Sequence, residues 1–394
     1  MKTHLPFTVW GLALAQALLT TGNTLLVAVS ALIGSQLASH PALVTAPIAA
    51  QFLGLIMATL PAAHFMQKYG RKKGFIAGNI LGLIGALVAM QGLFDSSLAL
   101  FALGTFLTGL AIGTSQQYRF AALDECPKAL HAKAIGLVMG GGVLAAVLGP
   151  NMAIWSQQWY SGNAFVGAFF GLFGLYFLAL VLIILLPLQV AKKQGVTVAP
   201  VAPRSYGVLF RQPVLLAAVA SGIIGYAVMV FLMTATPLAM QHDDFLFEDI
   251  AIVIQWHVLG MFVPSFFTGH LIKRFGIKSV VQAGCVLLLA AAGINLLGQT
   301  YHHYFMALML LGVGWNFTFI GATNLLSFAY QDHEKGKVQG MNDFLVFTAA
   351  AFGSLFAGQA VTSLGWVWVN LISIPFVIVV MLLMMRLNFK AVTQ

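Results

Sequence analysis

The chain has 394 residues, of which 60% are hydrophobic and only 7% are charged, and its mean hydropathy is +0.93. Soluble globular proteins carry about 25% charged residues, so this composition excludes a water-soluble fold. The formal net charge of +9 would suit a nucleic-acid partner, but the basic residues are distributed as in a membrane protein.

Twelve apolar runs are long enough to cross a bilayer, which takes about 20 residues in a helix. The runs cover residues 6–33, 41–66, 74–93, 98–117, 134–156, 163–187, 212–240, 248–272, 278–299, 304–330, 337–363 and 366–388. They are continuously apolar, whereas the strands of a membrane barrel alternate, so they indicate helices. The first run is too long for a removable signal peptide and lacks a small-residue cleavage site. We therefore predict an all-α membrane protein with twelve transmembrane helices.

The basic residues all fall on one side of this predicted membrane. With the amino terminus in the cytoplasm, the 19 Lys and Arg residues lie in cytoplasmic segments, while the opposite side holds an acidic cluster. The acidic cluster comprises Asp243, Asp244, Glu248 and Asp249. This asymmetry follows the positive-inside rule, and an even number of helices then places both termini in the cytoplasm. We expect the basic side chains to contact anionic lipid headgroups, and we expect no nucleic-acid partner.

Helix one carries three polar residues, Gln16, Thr20 and Asn23, at i, i+4 and i+7, so they share one face. In a bilayer such a face must point at other helices or at water. Two interpretations stay open, namely hydrogen bonds between helices or the lining of a substrate cavity.

Helix five is rich in glycine and contains Gly136 and the Gly149-Pro150 step. Glycine lets helices approach closely, and Pro150 is expected to kink the span. This pattern suits bundles that rock between two shapes, and it is also typical of ordinary membrane packing.

A segment rich in proline, glycine and basic residues, 188–211, separates the first six predicted helices from the last six. Such a composition is typical of a connection between domains. We therefore predict two six-helix bundles, residues 1–187 and 212–394, joined by a cytoplasmic linker.

Polar and aromatic residues also occur inside the spans of the second half. The predicted substrate cavity consists of Gln16, Thr20, Asn23, Tyr226, Gln255, His257, Trp315 and Asn316. No Lys or Arg falls deep in a predicted span and at most one acid does, which disfavours multiply charged anions and divalent metal ions. The remaining amide, hydroxyl and aromatic groups suit a small, neutral or weakly charged organic solute.

Two residues are candidates for proton coupling. Asp343 is the acid expected inside a span, and an ionisable residue there indicates function by default. Its alternative role is an ion pair with a nearby base such as Lys337. His257 has a side chain that titrates near neutral pH, and its alternative role is a neutral hydrogen bond between helices.

Neither the cysteines nor the outer histidines predict a bound group. Cys126 falls in a loop and Cys285 in a helix, so we expect no disulfide framework. The histidines predicted on the outer side are His40, His242, His302 and His303. Their spacing matches no metal site, which favours solvated loops. We expect no metal and no cofactor.

Two short stretches of the chain repeat one another. Residues 63–73 and 269–278 share a His, a polar or basic pair, an aromatic residue, Gly and then Lys, and each lies between two apolar runs. Residues 132–136 and 336–340 repeat at nearly the same offset. The matching offsets indicate an internal duplication that produced two related halves.

Twelve spans, a central linker and a Gly-Arg-Lys loop after helix two resemble the major facilitator superfamily, over essentially the whole chain. That family carries Gly-x-Leu-x-Asp-Arg-x-Gly-Arg-Lys in this loop, where an acid and its basic neighbours close the inner face. Gln67 and Lys273 stand at the two acid positions here, and a contact of Lys68 and Arg71 with the loop acids Asp124 and Glu125 could substitute. The cytoplasmic gate implied by the resemblance consists of Lys68, Gly70, Arg71, Arg274 and Gly276.

Helix five is similar to the antiporter motif of the same family, a glycine-rich run that ends in Gly-Pro. Gly136, Gly149 and Pro150 match that motif, which implies a hinge at Gly149-Pro150 and favours export. Thr105 occupies the position at which drug–proton antiporters carry an arginine, which argues against a standard multidrug transporter.

We therefore predict a secondary transporter that moves a small organic solute by alternating access, coupled to protons and directed outward. The alternatives are an importer or facilitator of the same fold, or a non-transporting membrane sensor. The sequence contains no cluster of catalytic groups and no P-loop, so we expect neither an enzyme nor an ATP-driven pump. We expect a monomer in the bacterial inner membrane, with a small molecule, protons and the lipid bilayer as its partners.

Overall fold

The computed structural model describes residues 4–127, 130–188 and 204–387, which contain fifteen α-helices. The first seven are α1 (Phe7–Leu37), α2 (Ala46–Tyr69), α3 (Arg71–Phe94), α4 (Leu98–Ser115), α5 (Tyr118–Asp124), α6 (His131–Trp155) and α7 (Val166–Leu185). The others are α8 (Tyr206–Leu209), α9 (Pro213–His242), α10 (Phe247–Phe262), α11 (Ser265–Phe275), α12 (Ile277–Leu297), α13 (Tyr301–Leu326), α14 (Lys335–Leu364) and α15 (Trp366–Arg386). Most of the predicted linker, residues 189–203, and the basic residues Lys2, Lys128 and Lys390 lie outside the described residues.

By length and composition, eleven helical segments among the described residues can cross a membrane, and the bent pair α10–α11 makes a twelfth. The predicted all-α membrane fold is thereby confirmed. The run predicted as one span over 248–272 is two helices that meet at 44°. The break falls at Val263 and Pro264, because proline has no N–H to donate and its ring clashes with the preceding turn.

The chain forms two compact units. One contains the described residues of Met1–Lys193 together with Asp244–Gln255, and the other contains those of Gln194–Asp243 together with Trp256–Gln394. In the first unit α1 packs on α6, and α3 packs on α4 and α7. In the second, α9 packs on α14, and α12 packs on α13 and α15. The same pairing, in the same chain order, is what an internal duplication predicts.

Glycine sets the distance between helices at corresponding places in the two units. A Cβ added to Gly109 of α4 would lie 2.1 Å from the carbonyl oxygen of Gln51 in α2. A Cβ added to Gly312 of α13 would lie 2.3 Å from the carbonyl oxygen of His257 in α10. These backbones are in contact, which is how membrane helices gain packing energy without a hydrophobic driving force between them.

Candidate substrate site and repeated loops

The polar face predicted on α1 exists in the first unit. Gln16 donates to the hydroxyl of Thr20 at 3.0 Å, and Asn23 accepts a hydrogen bond of 2.8 Å from Gln51 of α2. Most of α1 is buried, yet Gln16, Thr20 and Asn23 are each only half-buried. The face makes a hydrogen bond between helices and still leaves part of its polar surface accessible, and its role in lining a substrate cavity stays a prediction.

The Gly149-Pro150 step of α6 lies against α1. A Cβ added to Gly149 would lie 2.0 Å from the hydroxyl oxygen of Thr24, and that hydroxyl donates to the carbonyl of Ala145 at 2.8 Å. Pro150 is inside the helix, and the next residue, Asn151, donates to Gln255 of α10 at 2.5 Å. Gln255, predicted in the cavity, is thus engaged with α6.

In the second unit, four aromatic side chains from three helices form what we call the aromatic cluster: Tyr226 of α9, Trp315 and Phe319 of α13, and Phe347 of α14. The Tyr226 ring is edge-on to the other three, with centroids 5.4, 5.5 and 5.6 Å away respectively. Trp315 and Phe319 are nearly parallel, 5.0 Å apart with 9° between their planes. Tyr226, Phe319 and Phe347 are half-buried, so the cluster keeps accessible ring surface.

Asp343 lies one helical turn before Phe347, so the carboxylate and the ring share one face of α14. It is half-buried and about two turns beyond the start of α14. Asn342 donates to its carboxylate at 3.4 Å. The other acids among the described residues lie in loops or at helix ends. The structure therefore places a half-buried carboxylate of α14, a helix long and apolar enough to cross a membrane, one turn from a ring of the aromatic cluster.

Asn316 and His257 have their partners elsewhere. Asn316 is fully buried, donates to the carbonyl of Met261 at 2.7 Å and to Ser265 at 2.6 Å, and accepts from Thr268 at 2.6 Å. His257 is fully buried, and its Nδ1 donates to the carbonyl of α13 residue Leu308 at 2.8 Å. His257 joins α10 to α13, and Asn316 joins α13 to α10 and α11, so neither side chain contacts α9 or α14, the other two helices of the aromatic cluster, through these hydrogen bonds.

The two repeated loops have the same backbone conformation. Gly70 has φ 93° and ψ 152°, and Gly276 has φ 84° and ψ 155°. Only glycine adopts such angles without strain, so each Gly ends one helix and starts the next. Two residues later, Lys72 donates to the carbonyls of Ile184 and Leu186 at the end of α7, at 2.7 and 2.9 Å.

Lys278 repeats that contact in the second unit, where its Nζ donates to the carbonyl of Met385 at the end of α15, at 2.8 Å. Each lysine thus satisfies orphan carbonyls at a helix C-terminus, where the helix dipole favours a positive charge. The remaining gate candidates, Lys68 and Arg274, are exposed, and each lies over the aromatic ring of the next residue at 5.2 Å.

An ion pair occurs where the first loop lacks its acid. Arg71 contacts the carboxylate of Asp124, at the end of α5, with 2.6 Å between nitrogen and oxygen. Arg71 also points at the carbonyl of Gln117, 3.5 Å away. Asp124 therefore supplies the negative charge that Gln67 cannot.

A second ion pair, not anticipated from the sequence, joins Arg204 to Glu334 in the second unit. Glu334 is fully buried and accepts from Nη2, Nε and the backbone N–H of Arg204 at 2.6, 2.7 and 2.9 Å. The N–H of Gln331 adds a fourth bond of 3.0 Å. These donors, the Arg204 side chain foremost, hold the pKa of the Glu334 carboxyl well below its usual range. Neither residue lies in an apolar run, and nothing in their spacing along the chain indicates that they pair.

Comparison with known proteins gives one consistent family. The sequence matches the family model of the Major Facilitator Superfamily over residues 12–347 and again over 244–392. It is 40% identical over 380 residues to the riboflavin transporter RfnT of Brucella anthropi, which covers 96% of this chain and 95% of that protein. It is 28% identical to the uncharacterized MFS-type transporter YdeG of Bacillus subtilis, over 88% of this chain and 84% of that protein.

Solved structures agree on the fold. Two crystal structures of the nucleoside transporter NupG superpose with TM-scores of 0.75 and 0.72 over 97% of this chain and 99% and 100% of theirs, at 15% and 14% identity. The relatives and the fold are those of secondary transporters, which confirms the predicted family, the membrane-transport role and the absence of enzymatic function. A multi-pass integral membrane protein with a small-molecule cargo follows from the same comparisons. The chain belongs to the major facilitator superfamily.

Proposed function

We propose that this protein carries riboflavin, or a solute with a similar flat aromatic ring system, by alternating access of two related halves. The observation that carries the proposal is the 40% identity, over nearly the whole chain, to a protein named as a riboflavin transporter. The proposal includes the bacterial inner membrane as the location, a monomer as the working unit and both termini in the cytoplasm.

The aromatic cluster supports this choice of cargo. Tyr226, Phe319 and Phe347 offer accessible ring surface, and flat aromatic solutes bind such surfaces by offset or edge-to-face stacking. Among the described residues, Lys and Arg lie in loops, in the short helix α5 or near helix ends. A neutral heterocycle needs no buried cation, whereas a multiply charged anion would.

Asp343 is the group we assign to proton coupling. A charged carboxylate inside a spanning helix is costly, so a site that alternates between two environments favours taking up and releasing a proton there. Asp343 is half-buried beside the aromatic cluster, where substrate and proton would meet. His257 is the weaker candidate, because it is fully buried and already donates to Leu308.

Outward transport stays a prediction that rests on the glycine pattern of α6. The contact of Gly149 with α1 gives this glycine a packing role that serves import and export equally. Direction is therefore measured together with substrate and coupling.

Flux measurements in proteoliposomes test the substrate, the proton coupling and the direction of transport. We expect labelled riboflavin to move across the bilayer and to respond to an imposed pH gradient, with the sign of the response giving the direction. Asp343→Asn should abolish the response to the gradient, whereas Asp95→Asn, at an exposed acid after α3, should keep it. No riboflavin flux in either direction would overturn the cargo, and an unchanged gradient response in Asp343→Asn would overturn the coupling group.

A further inference from the structure

Trp315 carries an unused hydrogen-bond donor within the aromatic cluster. Its side chain is 8% exposed, and its Nε1–H has no hydrogen-bond partner among the described residues. An indole N–H donates and never accepts, and buried indoles usually find an acceptor. In a site that binds a solute, an unpaired donor such as this one indicates that the bound solute supplies the acceptor atom.

The rings around Trp315 define the shape of that solute. Trp315 is stacked on Phe319 and stands at 79° to Tyr226, so its buried N–H lies in a cluster of flat ring faces and ring edges. A solute that stacks there presents the polar atoms on the edge of its own ring. A carbonyl oxygen bonded to the ring is an acceptor that lies in that edge, and it projects beyond the ring atoms towards a donor.

We infer that the aromatic cluster binds the ring system of the substrate, and that Trp315 selects it by donating a hydrogen bond from Nε1 to a ring carbonyl. The inference rests on the proposed riboflavin-like cargo and adds the chemical group that is recognised. Flat aromatic solutes without a carbonyl would leave the buried Nε1–H unpaired and bind less well. A site built to form a hydrogen bond discriminates against a solute that lacks the matching group, because its own buried polar group then has no partner.

A second indole in the same unit provides a matched control. Trp366, the first residue of α15, is 6% exposed, and its Nε1–H likewise has no partner among the described residues. It packs on Tyr304, with centroids 5.2 Å apart, and not on the aromatic cluster. Replacing either tryptophan by phenylalanine removes a buried indole N–H and keeps an aromatic ring.

The test measures binding of two probes to the purified full-length protein by the quenching of probe fluorescence. Riboflavin and lumichrome share the carbonyl-bearing ring system, and lumichrome lacks the ribityl chain. We expect Trp315→Phe to weaken binding of both probes by about tenfold, which corresponds to about 1.4 kcal/mol and to one neutral hydrogen bond. Trp366→Phe should leave both affinities unchanged.

Each other outcome has a definite meaning. Equal affinities in wild type, Trp315→Phe and Trp366→Phe would overturn the inference and leave the proposed cargo standing. A loss for riboflavin alone would assign Trp315 to the ribityl chain and would also overturn the inference. Failure of the wild type to bind either probe would overturn the proposed cargo and the inference with it. If Trp315→Phe does not fold, benzothienylalanine at position 315 keeps the bicyclic shape and removes only the N–H.

Discussion

Glu334 ties the chain segment that enters the second unit to the loop before α14. Its carboxylate is fully buried and receives four hydrogen bonds, three of them from Arg204. The guanidinium of Arg204 also donates to the carbonyl of Ala329 at 3.1 Å, and Lys337 donates to the carbonyl of Arg204. A buried carboxylate with this many donors is stable only as the anion, because each donor would lose its acceptor on protonation.

Glu334→Gln is therefore expected to lower the melting temperature by several degrees at neutral pH, as measured by thermal unfolding of the purified protein. The pKa of Glu334 is depressed in the folded state, so its stabilisation is fully present above the unfolded value of about 4.3. It is lost as pH falls towards the folded value. The gap between wild type and variant should stay constant from about pH 7 to pH 5 and narrow in more acidic buffer.

Glu248→Gln, at an exposed position in the first turn of α10, is the control for that experiment. It should leave the melting temperature nearly unchanged over the same pH range. A gap for Glu334→Gln no larger than that of the control would show that the Arg204–Glu334 pair contributes nothing to stability.

Single residues of the aromatic cluster were predictable in part. Tyr226 and Trp315 are identifiable from the sequence because each carries a polar atom that a membrane interior must satisfy. Phe319 and Phe347 are not, because a phenylalanine that faces a binding site and one that faces lipid look alike in an apolar run. Their spacing of four residues from Trp315 and from Asp343 was the available signal, and helix packing alone decides which such pairs meet.

At the level of elements, Asn316 forms hydrogen bonds on both sides of the bend between α10 and α11. The break leaves backbone groups without helical partners, and in a membrane each must be satisfied within the protein. Asn316 binds the Met261 carbonyl before the break and Ser265 and Thr268 after it. The sequence predicts a kink at Pro264. The amide on another helix that supports the kink can be identified only from the three-dimensional packing.

Asn316→Ala should destabilise the protein by about 1–3 kcal/mol, since buried polar groups on both sides of the bend lose their partner. Asn324→Ala, two turns further along α13 and exposed, should change stability by less than about 0.5 kcal/mol. The free energy of unfolding from a denaturant titration in detergent measures both. Equal losses in the two variants would contradict a supporting role of Asn316.

The crossing of α1 and α6 allows an equally direct comparison between two glycines of one helix. A methyl group at Gly149 would meet the Thr24 hydroxyl and the α1 backbone, whereas one at Gly136 would meet nothing within 4 Å. Gly149→Ala should therefore cost about 1–3 kcal/mol by overpacking and slow transport. Gly136→Ala should stabilise α6 by up to about 1 kcal/mol through helix propensity.

Thermal unfolding and riboflavin flux on the same preparations measure both effects. If Gly149→Ala were as stable and as active as Gly136→Ala, Gly149 would have neither a close-packing role nor a hinge role. The glycine-rich run was visible in the sequence, but it could not separate these two positions, because glycine composition does not say which residues face a neighbouring helix.

Over the whole molecule, the internal repeat was the most informative feature of the sequence. Gly70 and Gly276 share one left-handed conformation, and Lys72 and Lys278 cap the C-terminal ends of α7 and α15 respectively. A short motif with glycine at a fixed position is predictable because only glycine fits that backbone. The Arg71–Asp124 pair was less predictable from the sequence, because Asp124 and Glu125 were both available as partners. Only the fold of α5 brings Asp124 within reach of Arg71.

Orientation in the membrane is the property of the whole chain that charge alone predicts. All 19 Lys and Arg residues fall on the side assigned to the cytoplasm. In the reversed orientation all of them would lie outside, against the positive-inside rule. Cysteine labelling in a Cys126→Ser, Cys285→Ala background tests the assignment with a membrane-impermeant maleimide. Ser161→Cys, in the exposed loop after α6, should react in intact spheroplasts. Ser327→Cys, exposed after α13, should react only once the membrane is opened, and the reverse pattern would place both termini outside.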